Sequence, residues 1–426
     1  MKKNYNKTKL DNGLIIVSEY VQNVGSFAAG VCANIGSRDD YKSKEGISHF
    51  MEHAAFRHTK NRTFKQIANE FENLGAYSNA WTTKDITCYY VRAITDNFNK
   101  IFELLSDISQ NTIFIEDEIE KERSIIIEEI KSYEDDPEEY ITDLIDSLVF
   151  ANTDLAHPIV GTQQSVSNVT ISDLSDFHNQ FYVPQNMLVA VAGNIEHSRI
   201  VELAEKSFNK HTAKSKAKQK LKNKVITHKQ LLNNQITINK PIQQAHIMLG
   251  TITNGYSNNS NKKYKLADER YKLAIANTIF GDGMSSRLYQ SLREKYGLAY
   301  SIYSSIQSYI DCGQINIYAA TDKNNLERTM DLINNQINLL NNSKKPTKNE
   351  LKRAKEQLKT ATIIELESMT ARVNNIIKQE LYIGFNEDID TIINKIEEVS
   401  LDDIIEINSK YFNVDNWCKC ILVPDN

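Results

Sequence analysis

Residues 48–53 read Ser48-His49-Phe50-Met51-Glu52-His53, within a run whose apolar residues recur at helical spacing. His49 and His53 are four positions apart, so on a helix their imidazoles project from one face about one turn apart. That spacing lets two neutral ring nitrogens meet one zinc ion at the ~2.0–2.1 Å that zinc requires. Glu52 lies on nearly the same face, where it can accept a proton without binding the metal. The segment therefore predicts a helix that carries a metal-binding pair and a base.

The order His-x-x-Glu-His inverts the commoner motif of zinc proteases and is itself a known catalytic pattern. The alternative is a surface helix with two histidines that occur by chance and a solvated glutamate. Against this alternative, the polar residues have apolar neighbours, which indicate a helix that is largely buried: Phe50, Met51, Ala54 and Ala55. Unpaired His and Glu side chains would be costly in such a place, so we favour the metal site.

A catalytic zinc ion also needs a third protein ligand and an open position for water. A second predicted helix, over residues 115–133, is rich in carboxylates. Glu122 and Glu129 are seven positions apart and share one face of that helix over two turns. Spacing alone does not choose among the candidates, which are Glu118, Glu120, Glu122, Glu128 and Glu129.

The composition describes an ordinary globular protein. Its 426 residues predict two or three domains at ~150 residues per domain. Hydrophobic residues make up 41% and charged residues 25%, which excludes a largely disordered chain. The net charge of −5 argues against a nucleic-acid partner, since such binders carry a basic excess. No apolar run approaches the ~18 residues of a membrane span, so we expect no membrane partner.

The cysteines and the N-terminus favour a cytoplasmic location. Five cysteines in so long a chain do not make a disulfide scaffold. Cys418 and Cys420 lie in a predicted strand, and we interpret them as core residues rather than as a metal pair. The first residues lack both the apolar core of a secretion signal and the Arg- and Ser-rich character of an organelle presequence.

The second half of the chain repeats the element order of the first half. A strand at 243–253 matches a strand at 26–35, and a helix at 271–280 matches the helix at 46–56, with an offset of roughly 220 residues. We therefore predict an α+β fold with two duplicated domains, each a mostly antiparallel sheet packed with helices. The domains span 1–210 and 230–426. A Lys-rich stretch at 211–229, interpreted as a solvated connector rather than a polyanion-binding segment, links them.

Further short motifs are distributed over nearly the whole chain. They are Gly36-Ser37-Arg38-Asp39-Asp40, Leu74-Gly75, Asn79-Ala80-Trp81-Thr82, His157-Pro158, Gly161-Thr162, Tyr182-x-Pro184-x-Asn186-Met187, Ser285-Ser286-Arg287-Leu288 and Leu292-Arg293-Glu294-Lys295-x-Gly297-Leu298-Ala299-Tyr300. Together with the His-x-x-Glu-His segment, they resemble the pitrilysin/insulinase class of zinc metallopeptidases. The resemblance is strongest to the short branch that includes the mitochondrial processing peptidase and its bacterial relatives.

The resemblance implies roles for individual residues. His49, His53 and Glu129 would bind one zinc ion per chain, and Glu52 would be the general base. Glu122 would hold a ligand or a neighbouring group in place. We expect His58 to be an exposed residue at a helix end rather than a substrate contact, and His157 to anchor a loop rather than to bind a metal.

The resemblance also implies how a peptide would be bound. Arg293 and Tyr300 match a pair that reaches from the non-catalytic domain to the substrate backbone and the developing oxyanion. Residues Asn79, Ala80, Trp81 and Thr82 would form a sheet edge onto which an extended peptide adds through main-chain hydrogen bonds. Such recognition suits peptides of varied sequence.

Longer members of this class close four domains around the substrate as a clamshell, and two domains amount to half of one. We therefore expect a homodimer, with a heterodimer as the alternative. The expected activity is zinc-dependent endopeptidase cleavage of short or unfolded peptides inside a closed chamber. The competing hypothesis is a non-catalytic peptide-binding or assembly subunit of a heterodimeric processing peptidase, although in that class the zinc motif is often degraded.

Overall fold

The computed structural model describes residues 4–208, 234–256, 263–341 and 345–425. The predicted connector at 211–229 lies outside the described residues, as do positions 210 and 230, so these domain boundaries stay a prediction. None of the helices in the described part of the chain is long and apolar enough to cross a membrane.

The strands and helices follow one another in an α+β order. The strands are β1 (Tyr5–Lys9), β2 (Ile15–Tyr20), β3 (Ser26–Ala33), β4 (Tyr77–Thr82), β5 (Thr87–Ile94), β6 (Met187–Gly193), β7 (Gln235–Lys240), β8 (Ala245–Asn254), β9 (Ala299–Ser308), β10 (Cys312–Thr321) and β11 (Cys418–Pro424). The helices are α1 (Ile47–Ala54), α2 (Phe64–Asn73), α3 (Phe98–Gln110), α4 (Glu116–Asp135), α5 (Pro137–Val149), α6 (Gln163–Ser167), α7 (Ile171–Phe181), α8 (His197–Ser207), α9 (Lys263–Phe280), α10 (Leu326–Asn341), α11 (Lys348–Glu365), α12 (Met369–Lys378), α13 (Ile389–Glu398) and α14 (Leu401–Tyr411).

The chain forms two compact units that are not consecutive halves. The first unit comprises residues 1–131, 157–222 and 364–386, and the second comprises 132–156, 223–363 and 387–426. Each unit therefore combines most of one half of the chain with a short segment of the other half. The apolar face of a helix can be recognised from its 3.6-residue period, but that period does not indicate which sheet the face will cover.

The first unit is built on a six-stranded sheet in the order β1-β2-β6-β3-β5-β4. Only the β2–β6 pair is parallel, and the other neighbours are antiparallel. The interior strand β6 is buried along its whole length, as its unbroken run of apolar and small residues requires. Helix α12 packs against β2, β3 and β6, and α3 packs against β3 and β5.

The second unit is built on a five-stranded sheet in the order β7-β11-β8-β10-β9. Here too a single pair, β7–β11, is parallel. Helix α5 packs against β8 and β11, and its buried residues share a core with Cys418 and Cys420. The interpretation of these two cysteines as core residues is confirmed. The predicted fold class, two mostly antiparallel sheets each packed with helices, is confirmed as well.

One cross-strand link was not expected from the sequence. Cys32 on β3 lies directly opposite Cys88 on β5, with Cα atoms 4.0 Å apart, and the two form a disulfide. Both residues are fully buried. They are 56 positions apart in the chain, so their pairing depends on a strand register that spacing does not indicate.

Candidate metal centre

Helix α1 carries His49, Glu52 and His53, and its first turn is held by a buried carboxylate. Asp40 accepts hydrogen bonds from the backbone N–H of Gly46 at 2.6 Å and of Ser48 at 3.1 Å, and from the Ser48 hydroxyl at 2.5 Å. These bonds satisfy donors that a helix start leaves open, and a carboxylate there is favoured by the helix dipole. Burial raises the pKa of Asp40, against the lowering effect of His157 and Ser48.

The residue before α1 must be glycine. Gly46 has φ of 95°, in the left-handed region that glycine adopts without strain. A Cβ atom at this position would also lie 2.5 Å from the carbonyl oxygen of Val160. The chain can therefore enter α1 at this angle, close to the loop at 160–161, only with a glycine at this position.

Three side chains meet with the spacing of metal ligands. Nε2 of His53 lies 3.4 Å from Oε2 of Glu129, and Nε2 of His49 lies 3.8 Å from the same oxygen. Atoms that each bind one ion at about 2 Å are separated by such distances. The potential ligand atoms of all three residues lie within 4.8 Å of one another. The structure thus brings together the three residues that the resemblance implied, with Glu129 supplied by α4.

His49 is in the protonation state that metal binding requires. Burial, and next the nearby His53, lower the pKa of His49 to about 4, with Glu129 opposing this shift. His49 is therefore neutral at pH 7. Two imidazoles and one carboxylate are the donor set of many catalytic zinc sites, so the residues present fit a zinc ion.

Glu52 is held beside this cluster without belonging to it. The hydroxyl of Thr82 on β4 donates a 2.5 Å hydrogen bond to Oε2 of Glu52. Burial raises the pKa of Glu52, while the Thr82 bond and His53 act in the opposite direction. A carboxylate whose pKa is raised is a stronger base, and this suits a group that accepts a proton.

Glu122 contacts one of the histidines directly. Nδ1 of His53 lies 3.0 Å from Oε2 of Glu122, which is 3% exposed. A carboxylate at this distance accepts a hydrogen bond from Nδ1–H, and this tautomer leaves Nε2 free for a metal. Arg57 forms an ion pair with the other oxygen of Glu122. Neither Arg57 nor Asp40 had an assigned role in the sequence, and nothing in the spacing of Arg57 signals that it would reach Glu122.

Strand β4, with residues 79–82, is an edge of the sheet. Among the described residues β4 pairs with β5 alone, so one side of its backbone is open to an added strand. The Asn79 side chain accepts a 2.8 Å hydrogen bond from the N–H of Ala80. Trp81 and Thr82 are half-buried. The structure therefore places Thr82 next to Glu52 and the rest of the segment on the same edge.

Arg293 and Tyr300 lie together in the second compact unit. Nη1 of Arg293 donates a 2.9 Å hydrogen bond to the carbonyl oxygen of Tyr300. The guanidinium carbon of Arg293 is 4.8 Å from the centre of the Tyr300 ring and 4.9 Å from that of Tyr289. The Tyr300 side chain is 78% exposed. The pair thus presents a phenol and a guanidinium on the surface of its unit.

His58 and His157, the two other histidines with a predicted environment, differ from each other. Nε2 of His157 is 2.8 Å from the carbonyl oxygen of Ser37, as expected of a loop anchor. The prediction for His58 is wrong: α1 ends at Ala54, and His58 is half-buried in a β-bridge with Thr63. The chain turns out of the helix earlier than the apolar spacing suggested.

Comparison with known proteins agrees with this geometry. The model of a family described as insulinase (peptidase family M16) matches residues 15–163. A second model, described as the peptidase M16 inactive domain, matches residues 168–358. The metal cluster lies in the first match, whereas Arg293 and Tyr300 lie in the second.

Individual relatives extend the similarity to the full length. The chain is 35% identical over 405 residues to the uncharacterized zinc protease YmxG of Bacillus subtilis, covering 95% of each chain. It is 38% identical to an uncharacterized zinc protease of Rickettsia felis, covering 77% of this chain and 76% of that one. The crystal structure of a protease from Helicobacter pylori shares the fold, with a TM-score of 0.88, 22% identity and 99% of each chain covered.

Proposed function

Because the chain belongs to the insulinase family of zinc proteases (peptidase M16), we propose that it is an endopeptidase that cleaves short or unfolded peptides held as an added strand. The observation that carries the proposal is the cluster of His49, His53 and Glu129 next to Glu52. The open edge of β4 supports the mode of binding, because an extended peptide can pair with it regardless of side-chain identity.

His49, His53 and Glu129 would hold the zinc ion. When bound, zinc acts as a Lewis acid that makes water more acidic and polarises a carbonyl group. Glu52 would accept the proton of the attacking water and pass it to the leaving amine. The hydroxyl of Thr82 keeps the Glu52 carboxylate on the side of β4, where the added peptide strand would lie. Arg293 and Tyr300 would stabilise the substrate backbone and the oxyanion.

Replacing Glu52 with Gln tests the proposal. The amide cannot accept a proton, so we expect at least a ~100-fold lower rate of peptide cleavage with an unchanged zinc content. The measurements are cleavage of an unstructured peptide library and metal analysis of the purified chain. Glu128→Gln is a matched control because Glu128 is exposed and forms an ion pair with Lys131, three positions away on the same helix. Full turnover by the Glu52 variant would refute the role of Glu52.

The same experiment separates the proposal from its alternative. A zinc-loaded wild-type chain that binds peptides but cleaves none would instead be the non-catalytic subunit of a processing peptidase. Efficient digestion of stably folded proteins would contradict the restriction to short or unfolded peptides.

We further propose that two copies assemble the working enzyme, since the chain holds two of the four domains of the longer clamshell proteins that it resembles. Both the zinc motif and the Arg293/Tyr300 pair are present in one chain, so a homodimer would be sufficient. Sedimentation of the active enzyme tests this, and a strictly monomeric protein with full activity would refute it.

A further inference from the structure

Arg57 lies four positions after His53 and reaches the same carboxylate as His53. Its Nη2 forms an ion pair with Oε1 of Glu122, while Oε2 accepts the hydrogen bond from His53. The Glu122 side chain is 4% exposed, and a carboxylate buried to this extent is stable only with charged or hydrogen-bonding partners. One buried carboxylate thus links a guanidinium to a metal-ligand histidine.

The guanidinium of Arg57 is itself held in place. Its central carbon lies 4.7 Å from the ring centre of Phe64, the first residue of α2. A planar guanidinium packs well on an aromatic face, and this contact restricts the side chain without using its hydrogen-bond donors. The Arg57 side chain is 19% exposed, so water competes for it only in part.

We propose that Arg57 is a positioning residue of the metal centre, acting on His53 through Glu122. The inference rests on the proposed zinc-peptidase function. Without Arg57, the carboxylate of Glu122 would lose the partner that offsets its burial and would turn towards water. His53 would then lose the acceptor that keeps its proton on Nδ1, and Nε2 would no longer be directed at Glu129.

The effect should be confined to one of the two histidines. Nδ1 of His49 is buried and has no hydrogen-bond partner within the residues that the structure describes. Through Glu122, Arg57 therefore has a hydrogen-bonded route to Nδ1 of His53, whereas Nδ1 of His49 has no such acceptor in the described part of the chain. The tautomer of His49 is thus an internal reference for the tautomer of His53.

The first experiment reads the tautomer of His53 in the metal-free protein, from ring nitrogen shifts after selective histidine labelling. We expect the Nδ1–H form of His53 in the wild type, a mixture of His53 tautomers in Arg57→Gln and the same His49 tautomer in both. A His53 signal in Arg57→Gln that matches the wild type would overturn the inference. Because no zinc is present, the result does not depend on activity.

The second experiment measures zinc affinity by competition with a chelator. Loss of a group that orients a metal ligand lowers affinity ~10–100-fold, and we expect a loss in this range for Arg57→Gln. In a protein that already carries Glu122→Gln, adding Arg57→Gln should lower zinc affinity by less than about a further twofold. The reason is that Arg57 acts through Glu122, which is already altered. Full additivity would contradict the route through Glu122.

Arg62→Gln is the matched control for general destabilisation. Arg62 forms ion pairs with Glu70, Glu103 and Asp107 but has no contact with the metal cluster. Its removal should leave zinc affinity and the His53 tautomer unchanged. A loss of affinity in Arg62→Gln equal to that in Arg57→Gln would make the effect structural and overturn the assignment.

Arg57→Lys carries the test if Arg57→Gln does not fold. The ammonium keeps the charge but not the planar fork, so we expect the Nδ1–H tautomer to persist and zinc affinity to fall about threefold. Wild-type affinity in this variant, or complete loss of the tautomer, would refute the inference. A wild-type chain that binds no zinc would refute the proposed function, whereas the tautomer would still decide the role of Arg57.

Discussion

Each unit packs a helix against a glycine of an interior strand, and the fit is less close in the first unit than in the second. Gly30 on β3 faces Val373 and Ile377 of α12, a helix from the second half of the chain. A Cβ atom on Gly30 would lie 3.2 Å from Sγ of Cys88, 3.3 Å from Cδ1 of Ile377 and 3.4 Å from Cγ1 of Val373. These contacts are tight, so the neighbouring atoms would have to move by a few tenths of an ångström to accept a methyl group.

The second unit repeats the arrangement with a closer fit. Gly250 on β8 faces Ile145 and Val149 of α5, a helix from the first half of the chain. A Cβ atom on Gly250 would lie 2.6 Å from Cγ1 of Ile145 and 2.9 Å from Cγ2 of Val149. Both units therefore use a glycine on an interior strand and two residues four apart on a helix from the other half of the chain. A methyl group would be crowded at both glycines and more severely at Gly250.

Helices α1 and α9 occupy matching positions in the repeat, and they differ more than the two sheets on which they pack. In the first unit, α1 carries two histidines of the candidate metal cluster. In the second unit, Asn277 of α9 and Ser304 of β9 satisfy each other: the Asn277 amide donates to the Ser304 carbonyl at 3.2 Å, and the Ser304 hydroxyl donates back at 2.7 Å. Within the residues that the structure describes, the same helix position therefore serves a metal cluster in one unit and a hydrogen-bonded pair in the other.

The largest expected effect comes from shortening a buried side chain of α12, the helix that the second half of the chain contributes to the first unit. Ile377 is fully buried, so Ile377→Ala should lower the free energy of unfolding by about 2–5 kcal/mol. Because α12 packs on β3, hydrogen exchange should accelerate in β3 before β8. Exchange mapped by mass spectrometry together with denaturant unfolding measures both effects.

Ile145→Ala is the mirror control, since Ile145 is equally buried on α5. It should cost a similar free energy of unfolding but accelerate exchange in β8 rather than β3. If both variants accelerated hydrogen exchange in the same sheet, α12 would not belong to the first unit and α5 to the second as the structure describes.

The next effect in size tests the difference in space. Gly250→Ala should destabilise the protein by about 1–3 kcal/mol, because the methyl group forces Ile145 and the backbone apart. Gly30→Ala should cost about 1 kcal/mol, at the low end of this range, because Sγ of Cys88 and Cδ1 of Ile377 need to move by only a few tenths of an ångström. Thermal and denaturant unfolding of the two variants measure the difference. Equal losses, or the reverse order, would remove the distinction between the units.

Local pattern predicted which residues of α1 lie together better than it predicted the packing. The spacing of His49 and His53 predicted the helix and two members of the candidate metal cluster, because these groups are neighbours along one turn. The third ligand needed the resemblance: several carboxylates of α4 satisfy the same spacing, and only the packing of α4 beside α1 selects Glu129. The contact of Arg57 with Glu122 is likewise a tertiary one.

The repeat predicted two sheets but not the exchange of α5 and α12. A helix with one apolar face can cover either sheet at equal local cost, so its choice depends on the complete fold. The Cys32–Cys88 pair was missed for a related reason, because a one-residue change of register would separate the two sulfur atoms.

The smallest expected effect concerns the charge of Glu350. Its ion pair belongs entirely to the second unit, so it tests what holds that unit together. Glu350 accepts hydrogen bonds from Arg287 Nε at 2.7 Å and Nη2 at 3.0 Å, and from the Thr347 N–H at 2.8 Å. Although burial raises the pKa of Glu350, Arg287 and Thr347 lower it to about 2. The stabilisation is therefore present above the ordinary value of 4.5 and is lost as the pH falls towards 2.

Glu350→Gln should consequently lower the free energy of unfolding at pH 7 by only about 1 kcal/mol, since the pair is partly exposed. The gap between variant and wild type should close between pH 4.5 and 2. Thermal unfolding across this pH range measures the gap in stability. Glu356→Gln is the control, because the Glu356 side chain is 61% exposed and pairs with Lys359 three positions away. A gap that stayed constant down to pH 2 would mean that Glu350 contributes by shape rather than charge. A gap that changed on chelation of zinc would contradict the independence of the second unit from the metal centre.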